Sequence, residues 1–218
     1  AEGTPIIFGA LRIDDDDRLK NSLVLLDNEG QSTLYDKSHL VPFGEYLPLE
    51  PLLRPLGLGF FYDLFGGAFT PGDGPTILRL PNGQGIVPLI CYELIFPDLV
   101  RSVPDRPDMI VQITNDAWFG TRSGPYQHMA QARARAVENG VSVVRVANTG
   151  ISGVIGPDGT VVDALDLGVQ GAIDVAVPKP HDPTLYRQYG DLSVLFMLII
   201  AFFTSLRARG RNNLLTSL

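Results

Sequence analysis

The sequence predicts an α/β (α+β) layered domain. Three observations carry that expectation: short β-type runs bounded by turn formers recur along the 218 residues, one internal stretch has a long helical period, and one late stretch is apolar without a polar face.

Strand character recurs at 5–11, 22–27, 31–35, 76–80, 85–90, 109–114, 141–147, 153–155, 161–164 and 172–177. Between several of these runs stand turn formers with a mechanism: Asp27-Asn28-Glu29-Gly30, Pro81-Asn82-Gly83 and Pro157-Asp158-Gly159 offer Gly or Asn where a tight reversal needs positive φ. The long helix is expected over 123–139, with Tyr126, Met129, Ala130, Arg133 and Val137 on one face and Gly140 as its stop. A shorter helix is expected to start near Phe96-Pro97-Asp98.

Two segments break the pattern. Residues 47–74 are rich in Leu, Phe, Pro and Gly without a sustained period, which suggests an apolar flap over a greasy substrate, with Leu52, Phe60 and Phe61 as contacts. An irregular connection with ordinary core anchors is the competing reading. Residues 192–206 are uncharged and run straight into Arg207, Arg209 and Arg211. About fifteen residues fall short of the roughly twenty that span a bilayer core, but the missing polar face and the arginines lead us to expect a transmembrane helix over 190–207 and a cytoplasmic tail over 208–218. The chain opens Ala1-Glu2-Gly3-Thr4-Pro5 and enters a strand at once, which reads as a fragment that begins inside a longer protein.

Composition narrows the function. Seventeen Lys+Arg against 24 Asp+Glu give a net charge of −7, with no basic, aromatic-interleaved stripe to follow a phosphate backbone, so nucleic acid is not an expected partner. His39, His128 and His181 are scattered without ligand spacing, and Asp14, Asp15, Asp16 and Asp17 read as a solvated turn; no metal is expected. Gly57-Leu58-Gly59 lacks the context of a dinucleotide fingerprint, so no cofactor is expected either. Ser152, in Gly150-Ile151-Ser152-Gly153-Val154, misses the Gly-x-Ser-x-Gly elbow by one position.

The one cysteine, Cys91, ends the run 85–90 where the chain turns toward a helix, an elbow that lifts a nucleophile beside backbone N–H groups. As a thiolate it would be an acyl carrier, while a small buried hydrophobe is the competing reading. The block 35–46 places Lys37, His39 and Glu45 in one short connection, where Lys37 could steady an oxyanion or simply be solvated.

Taken together, Tyr35-Asp36-Lys37-Ser38-His39-Leu40-Val41-Pro42-Phe43-Gly44-Glu45, Ile90-Cys91-Tyr92-Glu93 and Thr114-Asn115-Asp116-Ala117-Trp118-Phe119-Gly120 resemble the nitrilase-like domain of the apolipoprotein N-acyltransferases, in the nitrilase (carbon–nitrogen hydrolase) superfamily. The resemblance implies a nitrilase-like αββα sandwich over 1–184 and a bacterial inner-membrane enzyme whose catalytic domain faces the periplasm. It implies that Cys91 takes a fatty acyl chain from a phospholipid as a thioester, that Lys37 holds the oxyanion, and that the acceptor is the N-terminal amine of a diacylglyceryl-cysteine lipoprotein. Glu45, Tyr92 and Glu93 match supporting positions, and Trp118 and Phe119 match positions that line the site. The family's base glutamate lies upstream of the lysine block in a Pro-Glu context; neither Glu2 nor Glu29 fits, so the base is expected in sequence preceding these residues. A soluble nitrilase-type amidase and a membrane-anchored binding module without chemistry are the alternative readings.

Overall fold

A computed structural model describes residues 4–57 and 69–215. Two sheets organise them. The first is antiparallel, in the order β1 (Ile6–Ile13), β2 (Leu19–Leu26), β3 (Ser32–Asp36). The second has six strands in sequence order: β4 (Leu78–Arg79), β5 (Gly85–Ile90), β6 (Met109–Asn115), β7 (Ser142–Asn148), β8 (Ser152–Ile155) and β9 (Val161–Leu165). β5, β6 and β7 run parallel at its centre, and the flanking pairs are antiparallel.

The parallel centre explains why β5 reads as an unbroken apolar run: all six of its residues are buried, because both faces of the sheet are covered. Side chains alternate between the faces. Ile86 and Ile90 of β5 and Met109 and Val111 of β6 pack against Leu23, Leu25 and Tyr35 of the first sheet. Val87, Leu89 and Ile110 point the other way, onto Met129, Ala132 and Ala136 of α3 (Ser123–Asn139) and Val100 of α2 (Pro97–Arg101). Gly140, at φ 63°, ends α3 in the left-handed conformation expected of a glycine stop.

Of the four layers expected, three form among the described residues: helices, the six-stranded sheet and the three-stranded sheet. No described helix covers the outer face of the first sheet, where Ile6 and Leu34 are exposed. The expected strand at 172–177 is also absent; that segment passes without regular pairing, and Val177 only packs partly against the core between the sheets.

Within 47–74, the described part holds the short α1 (Glu50–Leu53), a 3-10 turn over Arg54–Leu56, and exposed Leu49, Leu52 and Leu56. Residues 58–68, with Phe60 and Phe61, lie outside the described residues. The returning end is pinned: Phe69 N–H donates to Glu45 O at 2.9 Å and Gly72 N–H to Lys37 O at 2.9 Å. At Gly72 a side chain has no room, since a Cβ would stand 2.9 Å from the Asp36 carbonyl carbon.

After α4 (Leu185–Tyr189) the chain forms α5 (Leu192–Leu215). The helical expectation holds there, but the membrane-spanning one is corrected: among the described residues no helix is long and apolar enough to cross a membrane. At 1.5 Å per residue an uncharged run of about fifteen residues reaches roughly 22 Å, against a hydrocarbon core of roughly 30 Å.

Candidate active site

The carboxyl ends of parallel strands are where open α/β sheets place ligands, since the loops there diverge and leave a crevice. In this chain the crevice is a cavity of about 550 Å³ between the two sheets. Cys91 and Ile90 from the end of β5, Ile113, Thr114 and Asn115 from β6, and Val146, Ala147 and Asn148 from β7 form one wall. Ile7, Phe8, Gly9 and Asn21 from the first sheet form the other, and Glu45 and Trp118 complete the lining.

Cys91 is half-buried and unpaired, and it adopts φ 51°. A non-glycine residue in the left-handed region costs energy and persists only when its surroundings hold it there, a pattern that concentrates at functional turns. The chain then enters a 3-10 turn over Cys91–Ile95 rather than an α-helix; the helix proper begins at Pro97.

Glu93 holds the elbow to the lysine loop. It is fully buried. Its Oε2 accepts the Ile90 N–H at 2.8 Å. Its Oε1 accepts Ser38 N–H at 2.7 Å, His39 N–H at 3.0 Å, Ser38 Oγ–H at 2.9 Å and the Tyr35 hydroxyl at 2.8 Å. A buried carboxylate is tolerable only with such partners. Burial, reinforced by the neighbouring Glu93 charge, pushes the Tyr35 hydroxyl far above its ordinary range and keeps it a donor.

Lys37 is 1% exposed, and its Nζ donates to both Glu45 oxygens at 2.7 Å. Glu45 Oε2 also accepts the Val41 N–H at 2.8 Å, so the carboxylate is shared between the ammonium and its own loop. On the other side of Lys37, Asp36 is fixed by Arg12 Nε at 3.1 Å and by Ser22 Oγ at 2.6 Å. The lysine therefore presents a preorganised positive charge whose stem cannot swing away, the property an oxyanion donor needs.

Of the residues singled out in the sequence, Cys91 and Glu45 line the same cavity, Lys37 is paired with Glu45, and Glu93 is bonded to Ile90 next to Cys91. Trp118 lines the cavity and Phe119 does not; its ring packs edge-on to His128 at 5.0 Å. Tyr92 stacks away from the cavity, edge-on to Phe96 at 5.0 Å and tilted against His39 at 6.4 Å. Leu52 sits exposed on α1 and is not part of the wall. Sequence reasoning missed Asn21, Asn115 and Asn148, although Asn115 ends β6, the neighbour of the strand that leads to Cys91, and Asn148 ends β7, the next strand over. Their signal was positional: each follows an apolar run of a parallel strand.

A family model described as carbon–nitrogen hydrolase matches residues 2–180. Among curated proteins, the chain is 42% identical over 216 residues to an apolipoprotein N-acyltransferase of Rhodopseudomonas palustris, covering 95% of this chain and 40% of that protein. It is 43% identical over 215 residues to one of Bradyrhizobium diazoefficiens, with 95% and 40% covered. The chain therefore spans about 40% of the length of these curated relatives. Among solved structures, it is similar at a TM-score of 0.53 to a Glu-to-Gln mutant of the amidase from Nesterenkonia sp. AN1 that shows Michael addition of acrylamide at its active site cysteine; the sequences are 22% identical, with 76% of this chain and 60% of that one covered. A cysteine-to-serine mutant of the same amidase, from the nitrilase superfamily, gives a TM-score of 0.53 at 22% identity, with 76% and 59% covered. At these identities the two structures speak for the fold.

Proposed function

The chain belongs to the carbon–nitrogen hydrolase family, and from that premise we propose that it forms the thiol-bearing part of an acyltransferase that moves a fatty acyl chain from a membrane phospholipid to the N-terminal amine of a diacylglyceryl-cysteine lipoprotein. The observation that carries the reading is Cys91, held at φ 51° on the wall of the cavity between the sheets, with the Lys37–Glu45 pair fixed beside it. The names of the curated relatives point to the same chemistry.

In the first half-reaction the Cys91 thiolate attacks the ester carbonyl carbon of the phospholipid. A C–S bond forms, the ester C–O bond breaks, and the lysophospholipid oxygen leaves with a proton. In the second, the acceptor amine attacks the thioester carbon: C–N forms, C–S breaks, the amine proton passes to a base, and the thiolate returns. Each step passes through a negative oxygen that Lys37 steadies. Two such transfers replace one direct and more difficult aminolysis of an oxygen ester. Glu45 is engaged by Lys37, so in this reading the thiol's proton goes to a carboxylate outside these residues, as the resemblance implies. Trp118, exposed and lining the cavity, and the exposed Leu49, Leu52 and Leu56 in and around α1 are suited to an acyl chain.

The reading places the catalytic domain at the outer face of a bacterial inner membrane. Val194, Leu195, Phe196, Met197, Leu198, Ile199 and Ile200 of α5 are all exposed, and at 100° per residue they leave no side of the helix polar. Such a helix is better solvated by lipid than by water.

Mass spectrometry of the full-length protein after exposure to phospholipid tests the proposal. An acyl adduct on Cys91, discharged by an amine-bearing lipopeptide, supports it. Complete transfer with Cys91 never modified rules it out, and ammonia release from small amides without any acyl adduct would favour amidase chemistry.

A further inference from the structure

On the face of the six-stranded sheet turned toward α3, directly behind Cys91, four polar side chains are enclosed: Gln112 (0% exposed), Asp116 (1%), His128 (3%) and Arg145 (1%). None lines the cavity, and neither half-reaction uses any of them. A buried ion pair is weak evidence for stability, since its desolvation offsets much of its attraction even where every hydrogen-bonding group is satisfied, so a positioning role is worth seeking for it. Here none of the four leaves a buried side-chain atom unpaired.

The partners fix the direction of every bond. Arg145 Nε donates to Ile151 O at 3.0 Å, Nη2 donates to Asp116 Oδ2, and Nη1 donates to Gln112 Oε1. Because a guanidinium can only donate, Gln112 must turn its oxygen toward Arg145 and its NH2 the other way. That nitrogen donates to Cys91 O at 3.3 Å and meets His128 Nε2 at 3.0 Å. His128 Nδ1 donates to Asp116 Oδ1 at 2.9 Å, with Arg145 Nη2 3.2 Å from the same nitrogen, which leaves Nε2 as the acceptor for Gln112 and closes the ring; Nε2 itself stands 3.3 Å from Cys91 O. Gly150 leaves the room for it, since a Cβ there would stand 2.6 Å from Asp116 Cβ.

The elbow is thus clamped from two sides, by Glu93 on the Ile90 N–H and by Gln112 on the Cys91 carbonyl. We propose that the enclosed ring of Arg145, Asp116, His128 and Gln112 is a positioning device for the nucleophile: it holds the Cys91 carbonyl and with it the left-handed backbone that presents the thiol to the cavity. His128 is a positioning residue, acting on the Cys91 carbonyl through Gln112 and through its own contact at 3.3 Å.

The inference rests on Cys91 being the acyl-carrying nucleophile, and the test separates the two. In the full-length protein, His128→Asn keeps a donor near Nδ1 for Asp116 and removes the Nε2 acceptor, whereas His128→Gln replaces a polar atom where Nε2 stood. With phosphatidylethanolamine vesicles as donor, His128→Asn should slow Cys91 acylation about a hundredfold with KM unchanged, His128→Gln should recover most of the rate, and both should melt near the wild-type temperature. An unchanged rate in His128→Asn, or no recovery in His128→Gln, overturns the proposal. If His128→Asn melts early, Gln112→Glu, which keeps an oxygen for Arg145 and removes the donor to Cys91, is judged by the same rate criterion. If the wild type carries no acyl group at all, the acyl-transfer reading falls, and alkylation of Cys91 by iodoacetamide decides the ring alone: slower alkylation in His128→Asn sustains it, equal rates overturn it.

Discussion

The Tyr35 hydroxyl donates to Glu93 Oε1 at 2.8 Å, joining the strand that leads to Lys37 to the turn that follows Cys91 across 58 positions of sequence. Burial and the Glu93 charge raise the Tyr35 pKa far above its ordinary value of 10.0, so the folded protein keeps a proton that the unfolded chain releases. This contribution to stability is complete below pH 10 and declines as the pH climbs beyond it, by up to about 1.4 kcal/mol per pH unit. Tyr35→Phe should lose about 1–3 kcal/mol at pH 8 and show a shallower alkaline decline. Urea unfolding of both proteins at pH 8 and pH 11 measures the difference; parallel declines would mean that Tyr35 is not held neutral.

Much of this arrangement was legible beforehand because periodicity and turn chemistry act locally. The run that became β5 kept its limits of 85–90, and the helix of 123–139 kept its limits and its glycine stop but not its expected face: Tyr126, Ala130, Arg133 and Val137 are exposed, and the side turned to the core carries Pro125, His128, Met129, Ala132, Arg135, Ala136 and Asn139. The 172–177 run failed for the opposite reason: strand propensity without a neighbouring strand yields no ladder. Lys37, Glu45, Cys91 and Glu93 were singled out through short blocks of sequence. His128 was set aside because no other histidine shares its spacing, yet its partners lie on β6, the turn after it and β7, a relation that sequence distance conceals. The full apolar circumference of α5 was visible, whereas its shortfall against a bilayer was a matter of length.

Lys37 cannot leave its place without breaking two contacts of 2.7 Å to Glu45, so its charge is already aimed before any substrate arrives. Lys37→Met should therefore reduce the rate of acyl-adduct formation on Cys91 by about 10²–10³, read by quenched-flow mass spectrometry, with phospholipid binding retained. Lost lipid binding with undiminished chemistry would remove Lys37 from its assigned role.

Burial alone would raise the Asp116 carboxyl, but the hydrogen bond from His128 and the charge of Arg145 outweigh it, and the net direction is downward from 3.8. A lowered carboxyl stabilises the fold above the unfolded value and ceases to do so as the pH falls below about 4. Asp116→Asn should flatten the acid limb of stability. It should also cost about 3–5 kcal/mol at neutral pH, because Arg145 is left as an uncompensated buried charge. Thermal melts from pH 3 to pH 7 distinguish this from a uniform loss, which would show that Asp116 does not govern the acid limb.

Glu45, which shares the cavity lining with Cys91, and Glu93, in the turn that Cys91 opens, are already committed. Glu45 serves Lys37 and the Val41 N–H, and Glu93 serves Ile90, Tyr35, Ser38 and His39. Taking the thiol's proton would cost either one contacts that hold the elbow or the lysine in place, so deprotonation calls for a further acceptor. The 218-residue chain on its own is accordingly expected to form no Cys91 thioester with phospholipid at neutral pH, while the full-length gene product does. Intact-mass spectrometry of both after equal exposure checks this. An adduct forming on the shorter chain at the full-length rate would make Glu45 or Glu93 the base and require one of these hydrogen-bond sets to open during the reaction.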